Sequence, residues 1–419
     1  MHILIIGAGA SGLMAARCLA EKNYMITIVE ARDRIGGRIH TLNTGFSLPM
    51  EAGAEFIHGD LPLTLSLVEE SKSVITLLKG NRYQFWKGEW QTGNPLEEDW
   101  NKLDRALKEL ETDTSMASFL EQHFDKERDA DLYERVKGYV EGYDIADLDR
   151  VSAIALREEW EEGDDELQYH LTGGYIRLTS FLEERIKAAG GSVLLSSPVK
   201  EIQWEAGKVK VITHTGKVFE ADKVIVTVPL GVVQKGMIRF TPALPRQEEA
   251  YRQIGFGGVI KFLFEFRTPF WEGKIAKPLK ELAFIFSDAE VPTWWTQLPD
   301  KTPLLTGWLG GPSAFKAASD KDTLYKTAIE SLCAIFNCPA ADIEKEILNW
   351  HIADWVSDPY AYGAYAYTTV ETPPARNVLS APVSDTIYFA GEALYEGTAM
   401  GTVEAALASG KEVAGKITG

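Results

Sequence analysis

Hydrophobic positions along this chain change their period several times. Met1 to Ile6 is a short apolar run that enters a glycine-rich turn, and from Ala10 apolar residues recur at helical spacing to about Asn23. A second apolar run, Ile26 to Val29, ends on an acid, Glu30. Short continuous runs of this kind, alternating with a helical pattern, predict a β-α-β unit with parallel strands. From about Trp90 to Asp165 the pattern turns helical and polar, with apolar residues three and four apart in Trp100–Glu111 and Met116–Lys137 and no strand signal. After Thr172-Gly173-Gly174-Tyr175 a helix to Ala189 is expected, then short strands over Ser192–Leu195, Val199–Trp204, Lys208–His214 and Lys223–Val228. Pro229, Pro242 and Pro245 bracket an exit, and Gln253–Tyr367 mixes strands with one clear helix, Asp322–Phe336. The chain closes on a strand, Thr386–Ala390, and a helix, Thr402–Ile417.

The turn after the first strand carries chemistry. It reads Gly7-Ala8-Gly9-Ala10-Ser11-Gly12. Gly7 suits the tight turn, Gly9 lets the backbone approach a pyrophosphate, and Gly12 lets helix and strand pack closely, while the helix start offers free N–H groups and a positive dipole to phosphates. Glu30 follows Gly12 by 18 residues, where an acid at the end of the second strand accepts from ribose hydroxyls. Cations and a glycine pair follow at once in Glu30-Ala31-Arg32-Asp33-Arg34-Ile35-Gly36-Gly37-Arg38, as for a cofactor carrying more negative charge than a nicotinamide dinucleotide.

Two further stretches, Gly53-Ala54-Glu55-Phe56-Ile57-His58-Gly59 and Tyr388-Phe389-Ala390-Gly391-Glu392, complete a set of motifs that extends over nearly the whole chain. In this combination the sequence resembles the flavin-containing amine oxidases, the group of monoamine oxidases, polyamine oxidases and lysine-specific histone demethylases. The resemblance implies an α/β fold: a Rossmann-like FAD-binding domain, here residues 1–72, 173–245 and 380–419, interleaved with a substrate domain of mixed sheet and helices, here 73–172 and 246–379. It implies FAD held by Gly7, Gly9, Ala10, Ser11, Gly12, Glu30, Ala31, Arg32, Gly37, Arg38, Ala54, Glu55, Phe56, Val199, Trp355, Gly391, Glu392, Thr402 and Val403.

Four residues are candidates for the chemistry itself. In Val259–Phe266 a period of two puts Ile260, Phe262, Phe264 and Phe266 on one face and Lys261 and Glu265 on the other, so the pattern alone makes Lys261 a polar-face residue. The resemblance gives it another role, holding a water beside the flavin and assisting reoxidation by oxygen. His58 stands in the Ile-His-Gly context of animal polyamine oxidases, which implies a place on the substrate side. Tyr365 matches one wall of an aromatic cage that orients the amine. Thr402 falls where monoamine oxidases carry the second cage aromatic, and Ala364 where they carry the cysteine that bonds FAD, so a half cage and a non-covalent flavin are expected.

Composition narrows the setting. With 419 residues and 45% hydrophobic content the chain is long enough for two domains. A net charge of −18 argues against nucleic acid or an anionic membrane as partner and favours cationic ligands. Between Glu134 and Glu166 there are 12 acids against four basic residues; Glu159, Glu162 or Asp165 at an entrance would concentrate a polycationic amine. The three cysteines, Cys18, Cys333 and Cys338, are too few for a disulfide framework, and no metal site is expected. The first strand begins at the second residue, leaving no room for a leader, and the last helix is too short and charged to span a bilayer, so the cytoplasm is the expected location.

The expected activity is therefore oxidation of a primary amine or polyamine to an imine and aldehyde, with O2 reduced to H2O2. The rivals are an L-amino acid oxidase or a C–C desaturase on the same scaffold, and a flavoprotein without catalysis. Against the first, the Gly53–Phe56 segment lacks the carboxylate-binding arginine of amino-acid oxidases.

Overall fold

The two apolar runs of the opening pair as parallel neighbours, Ile3 beside Ile26 and Ile5 beside Ile28. They form the middle of a five-stranded sheet ordered Ser192–Leu194, Met25–Val29, His2–Ile6, Lys223–Val226, Ile387–Phe389, with every neighbouring pair parallel. The computed structural model in which this is seen describes residues 1–91, 97–162, 167–273, 279–317 and 319–419. Strands from the beginning, middle and end of the chain thus share one sheet.

That sheet is covered on both sides, which is why its strands lack polar alternation. Ile3 and Ile5 pack on the helices Ala10–Ala20, Ile176–Ala188 and Val403–Thr418, through Leu13, Leu19, Leu182 and Leu407. Leu4 and Ile6 face the other way, onto Ile202, Val209 and Val211 of a four-stranded sheet ordered Val218–Ala221, Lys208–Thr213, Val199–Glu205, Arg239–Thr241. Burying each such side chain stabilises by roughly 2 kcal/mol, so the layers are held by their own alternation.

The second large sheet has seven strands, in the order Ile347–Asp354, Val259–Phe266, Leu304–Gly310, Thr293–Thr296, Leu282–Ser287, Asn81–Trp86, Glu89–Gln91. Ile260, Phe262, Phe264 and Phe266 pack on the helix Lys321–Phe336, as their spacing predicts. The opposite face of that strand is not solvated, however. Lys261 is 1% exposed, and Val259 and Leu263 beside it are equally buried, because this face closes onto the rest of the molecule.

Several elements differ from expectation. Trp90 and Gln91 lie in a strand rather than in the helical stretch. The run Met116–Lys137 is two helices, Met116–His123 and Ala130–Gly142. Between them the Asp125 carboxylate accepts from the backbone N–H groups of Glu127 and Arg128, a local turn that outcompetes the helix. Val218–Ala221 is an additional strand, and Gly311–Ala317, Ala340–Glu346 and Thr372–Ser380 are additional helices.

Candidate active site

Every residue named from the sequence as a cofactor-binding or catalytic candidate, Gly12 excepted, lines one continuous cavity of about 2060 Å³. Drug-sized ligands occupy roughly 300–1,000 Å³, so this space suits a dinucleotide together with a second molecule. It begins at the carboxyl ends of the parallel strands and runs to the seven-stranded sheet.

The first end is built by the fingerprint. Gly7 has φ +109°, and a Cβ on Gly12 would lie 2.0 Å from the Gly7 carbonyl oxygen, so neither position tolerates a side chain. The helix that follows starts on Gly9, which supplies no capping side chain, and the buried Ser11 Oγ beside it has no partner among the described residues. A bare helix start with an orphaned hydroxyl fits a phosphate. Glu30 is 5% exposed, its Oε2 accepting from Ala8 N at 2.7 Å and its Oε1 from Arg32 N at 2.8 Å. The turn and the acid are therefore one bonded unit facing the cavity.

The cations that follow are spent on protein partners. Arg32 makes a two-pronged ion pair with Asp358 at 2.6 and 2.8 Å and lies over the rings of Trp355 and Tyr360. Arg38 donates to Glu392 Oε1 and to the Ala364 carbonyl, both at 2.6 Å. Arg34 bonds three nearby carbonyls, and burial, then the neighbouring Arg32, push it down to about 10. These contacts lock the loop to the segment Trp355–Ala364 and to Gly391-Glu392. Trp355 is pinned in turn by a 2.8 Å bond from its indole N–H to the Ala52 carbonyl.

At the far end an aromatic wall runs from Phe56 and Phe284 through Trp295 and Trp308 to Tyr365, with neighbouring ring centroids 5.6 to 6.4 Å apart. The Tyr365 hydroxyl donates to the Tyr143 carbonyl at 2.7 Å, and its pKa is raised well above 10.0, first by burial and then by Asp144. Trp308 is fixed by an indole bond to the Gly142 carbonyl at 2.8 Å. His58 lies on the same wall, edge-on to Phe56. The Thr402 hydroxyl caps the last helix, accepting from Ala405 N and donating to the Ala399 carbonyl. It reaches the cavity as a helix cap.

Lys261 enters from the seven-stranded sheet. Its ammonium donates to Glu55 Oε2 at 2.5 Å and to the Gly53 carbonyl at 3.1 Å. Glu55 Oε1 accepts from Trp295 Nε1 and Gln297 Nε2, both at 3.0 Å, and His170 Nδ1 stands 3.7 Å away. Burial pushes the Glu55 carboxyl up, but Lys261, His170 and these hydrogen bonds outweigh it and hold it below the usual carboxylate range. Burial pushes His170 down. Nothing in the Gly53–Phe56 motif marks Glu55 as the partner of Lys261, and Trp295, Trp308 and His170 were not singled out at all. The one signal available was the Trp294-Trp295 pair in a four-residue strand, Thr293–Thr296, where period two sends Trp294 to the core and Trp295 to the opposite face.

The stretch Glu134–Glu159 gives the cavity lining an acidic side, with Glu134, Glu141, Asp144, Glu158 and Glu159 against Arg135 and Lys137. Asp165 lies outside the described residues, as does the side chain of Glu162. Among the described residues no helix is long and apolar enough to cross a membrane.

A glycine cradle at a topological switch point, joined by one cavity to a buried lysine and an aromatic wall, defines a dinucleotide-dependent oxidoreductase fold. The family profile described as "Flavin containing amine oxidoreductase" matches residues 10–418. The chain belongs to that family: it is an oxidoreductase acting on amine donors, with FAD as cofactor. Polyamine oxidase 4 of Oryza sativa subsp. japonica is 26% identical over 98% of this chain and 88% of its own. Human lysine-specific histone demethylase 2 is 25% identical over 99% of this chain but only 53% of its own. The Arabidopsis thaliana lysine-specific histone demethylase 1 homolog 3 is 25% identical over 93% of this chain, which spans 28% of it. Among solved structures, a putrescine oxidase with putrescine bound superposes with a TM-score of 0.82 at 21% identity, covering 100% of this chain and 99% of that one. Cyclohexylamine oxidase from Brevibacterium oxydans gives 0.80 at 21% identity, covering 99% and 98%.

Proposed function

We propose that this protein oxidises a primary amine or polyamine to an imine, which hydrolyses to an aldehyde, with O2 reduced to H2O2. When bound, without a covalent bond, FAD would supply the redox chemistry, acceptance of hydride from the carbon beside nitrogen and its return as electrons to O2. The cradle Gly7–Gly12 with Ser11, the acid Glu30, and the loop carrying Gly37, Arg38 and Glu392 would hold it. We also propose that residues 1–72, 173–245 and 380–419 act as the cofactor-binding unit and 73–172 and 246–379 as the substrate unit.

The observation that carries this reading is the joining, in one cavity, of the nucleotide cradle to the wall Trp295, Trp308, Tyr365 and to an acidic stretch of lining; we place the entrance at that stretch. The mouth draws in a cation. The aromatic faces then receive it through cation–π contact, and burial away from water favours loss of its proton. His58, on that wall, is the side chain suited to take up the proton. Lys261 serves the oxygen side, where a fixed positive charge stabilises developing negative charge.

A coupled peroxide assay over mono-, di- and polyamines and amino acids tests the reading. Turnover of amines with peroxide formation is expected. Turnover confined to amino acids would favour the amino-acid oxidase alternative, and a yellow protein whose colour no amine bleaches anaerobically would favour a flavoprotein without this catalysis.

A further inference from the structure

The mechanism above uses Lys261 but leaves unexplained how a charged lysine persists at 1% exposure. A buried ammonium without a counter-charge gives up its proton. We propose that Glu55 is the positioning residue that keeps Lys261 charged and fixed at the cavity wall; the inference rests on the reading of Lys261 as the residue of the oxygen half-reaction.

Three features carry it. The pair is one to one: Glu55 Oε2 takes the ammonium at 2.5 Å, while Oε1 is taken by the neutral donors Trp295 and Gln297. The backbone leading to Glu55 is fixed as well, because Ala52 and Ala54 bond to the His40 and Arg38 carbonyls and Trp355 bonds to the Ala52 carbonyl. Glu55 and Gly53 take two of the ammonium's three donors, and the group lies 5.3 Å from the centroid of the Trp295 ring on the cavity wall. Glu55 thus sets both the charge and the direction of Lys261.

The titratable groups around the pair are few. His170, on the strand Gln168–Leu171, faces Glu55, with Asp300 acting on His170 from beyond it. Glu51 acts on both members from the neighbouring short strand Met50–Glu51, and His58 lies across Phe56. The strands flanking Lys261 set Trp308 and Ala353 beside it, neither of which titrates. On its own strand Glu265 bonds to Ser47 N.

The test compares Glu55→Gln, Glu55→Asp, Lys261→Met and the double variant Lys261→Met/Glu55→Gln, as loaded enzyme and as apoprotein. In stopped flow, Lys261→Met should reoxidise slowly at every pH. Glu55→Gln should be slowed by about tenfold or more above about pH 8 and recover toward about pH 6, where Lys261 regains its proton, while Glu55→Asp stays near wild type. In the apoprotein, a lysine that folds uncharged makes the unfolded state bind more protons. The melting temperature of Glu55→Gln should therefore climb with pH between about 6 and 9 relative to wild type. If Glu55→Gln does not fold, the double variant decides: having no charge left unpaired, it should melt above Lys261→Met, and a lower melting temperature overturns the proposal. Wild-type reoxidation by Glu55→Gln at every pH, with a parallel apoprotein melting profile, overturns the role of Glu55 alone. Wild-type reoxidation by Lys261→Met overturns the reading of Lys261 itself.

Discussion

Arg38 donates to Glu392 Oε1 at 2.6 Å, joining residues 354 positions apart, and so ties the loop after the second strand to the turn before the last helix. Glu392 is 3% exposed, and its other oxygen accepts from Ala366 N at 3.3 Å. Removing one partner of such a pair leaves a buried charge uncompensated, at about 3 kcal/mol for a partner that is partly exposed as Arg38 is. Arg38→Met should lower the melting temperature by several degrees and weaken flavin retention, since the Ala364 carbonyl is orphaned as well. Thermal melts and the flavin-to-protein absorbance ratio check both.

Glu30→Arg should strip FAD. The substitution puts a cation where two backbone N–H groups now converge on a carboxylate, so the turn at Ala8 loses its acceptor along with any ribose contact. Dialysis followed by the absorbance ratio is the measurement, and retention of the full flavin content would contradict the assignment of Glu30.

The cofactor end was legible in the sequence because its parts are local. Gly7 to Glu30 lie within one β-α-β unit, where glycine spacing has a direct geometric reading. The substrate end was not, because its central pair joins distant residues, Lys261 with Glu55 across 206 positions; the Arg32–Asp358 pair that braces the cofactor loop, across 326, was hidden in the same way. Period two separated the faces of Val259–Phe266 correctly, yet alternation cannot say whether the polar face meets water or a buried cavity. The same limit hid Trp295 and Trp308. Thr402 lines the cavity while the last helix uses its hydroxyl as a cap, a use that the preceding loop geometry decides.

Glu51 should make stability fall as pH rises from weakly acidic to neutral. Burial pushes its carboxyl up to about 7, against hydrogen bonds from Tyr175 N and Thr41 that oppose the shift. The folded state therefore binds this proton more tightly than the unfolded chain. The stabilisation is complete below the unfolded value of 4.5 and is lost as pH climbs through about 7, on the order of 3 kcal/mol in all. Glu51→Gln should flatten that slope, as read from apoprotein melts at about pH 5 and about pH 7.5.

Charge at the mouth should set the apparent affinity for polycations. Replacing both Glu141 and Glu159 by Gln removes two charges from the cavity lining. KM for a tri- or tetra-amine should rise several-fold, with a smaller rise for a monoamine and kcat little changed. Added salt should shrink the difference between variant and wild type, because the Debye length falls to about 3 Å at 1 M. Equal effects on mono- and polyamines would show that these acids act on folding or on access in general.

The flavin should leave when the chain unfolds. A covalent bond in this family needs a thiol within reach of the flavin ring, and Ala364, at the matching position, lines the cavity with a methyl group. The three cysteines are elsewhere. Cys18 sits in the first helix against Met14, Cys333 and Cys338 pack with the core behind the seven-stranded sheet, and none of them lines the cavity. Burial raises the pKa of all three thiols, to about 11 for Cys338, which lowers their nucleophilicity further. Retention then depends on phosphate contacts, ribose hydrogen bonds and enclosure of the ring, each of which exists only in the folded state. Acid precipitation should release essentially all the yellow colour into the supernatant. A pellet that stays yellow would mean that a histidine on the cavity wall, His58 first, bonds the ring, and peptide mapping of the pellet would identify it.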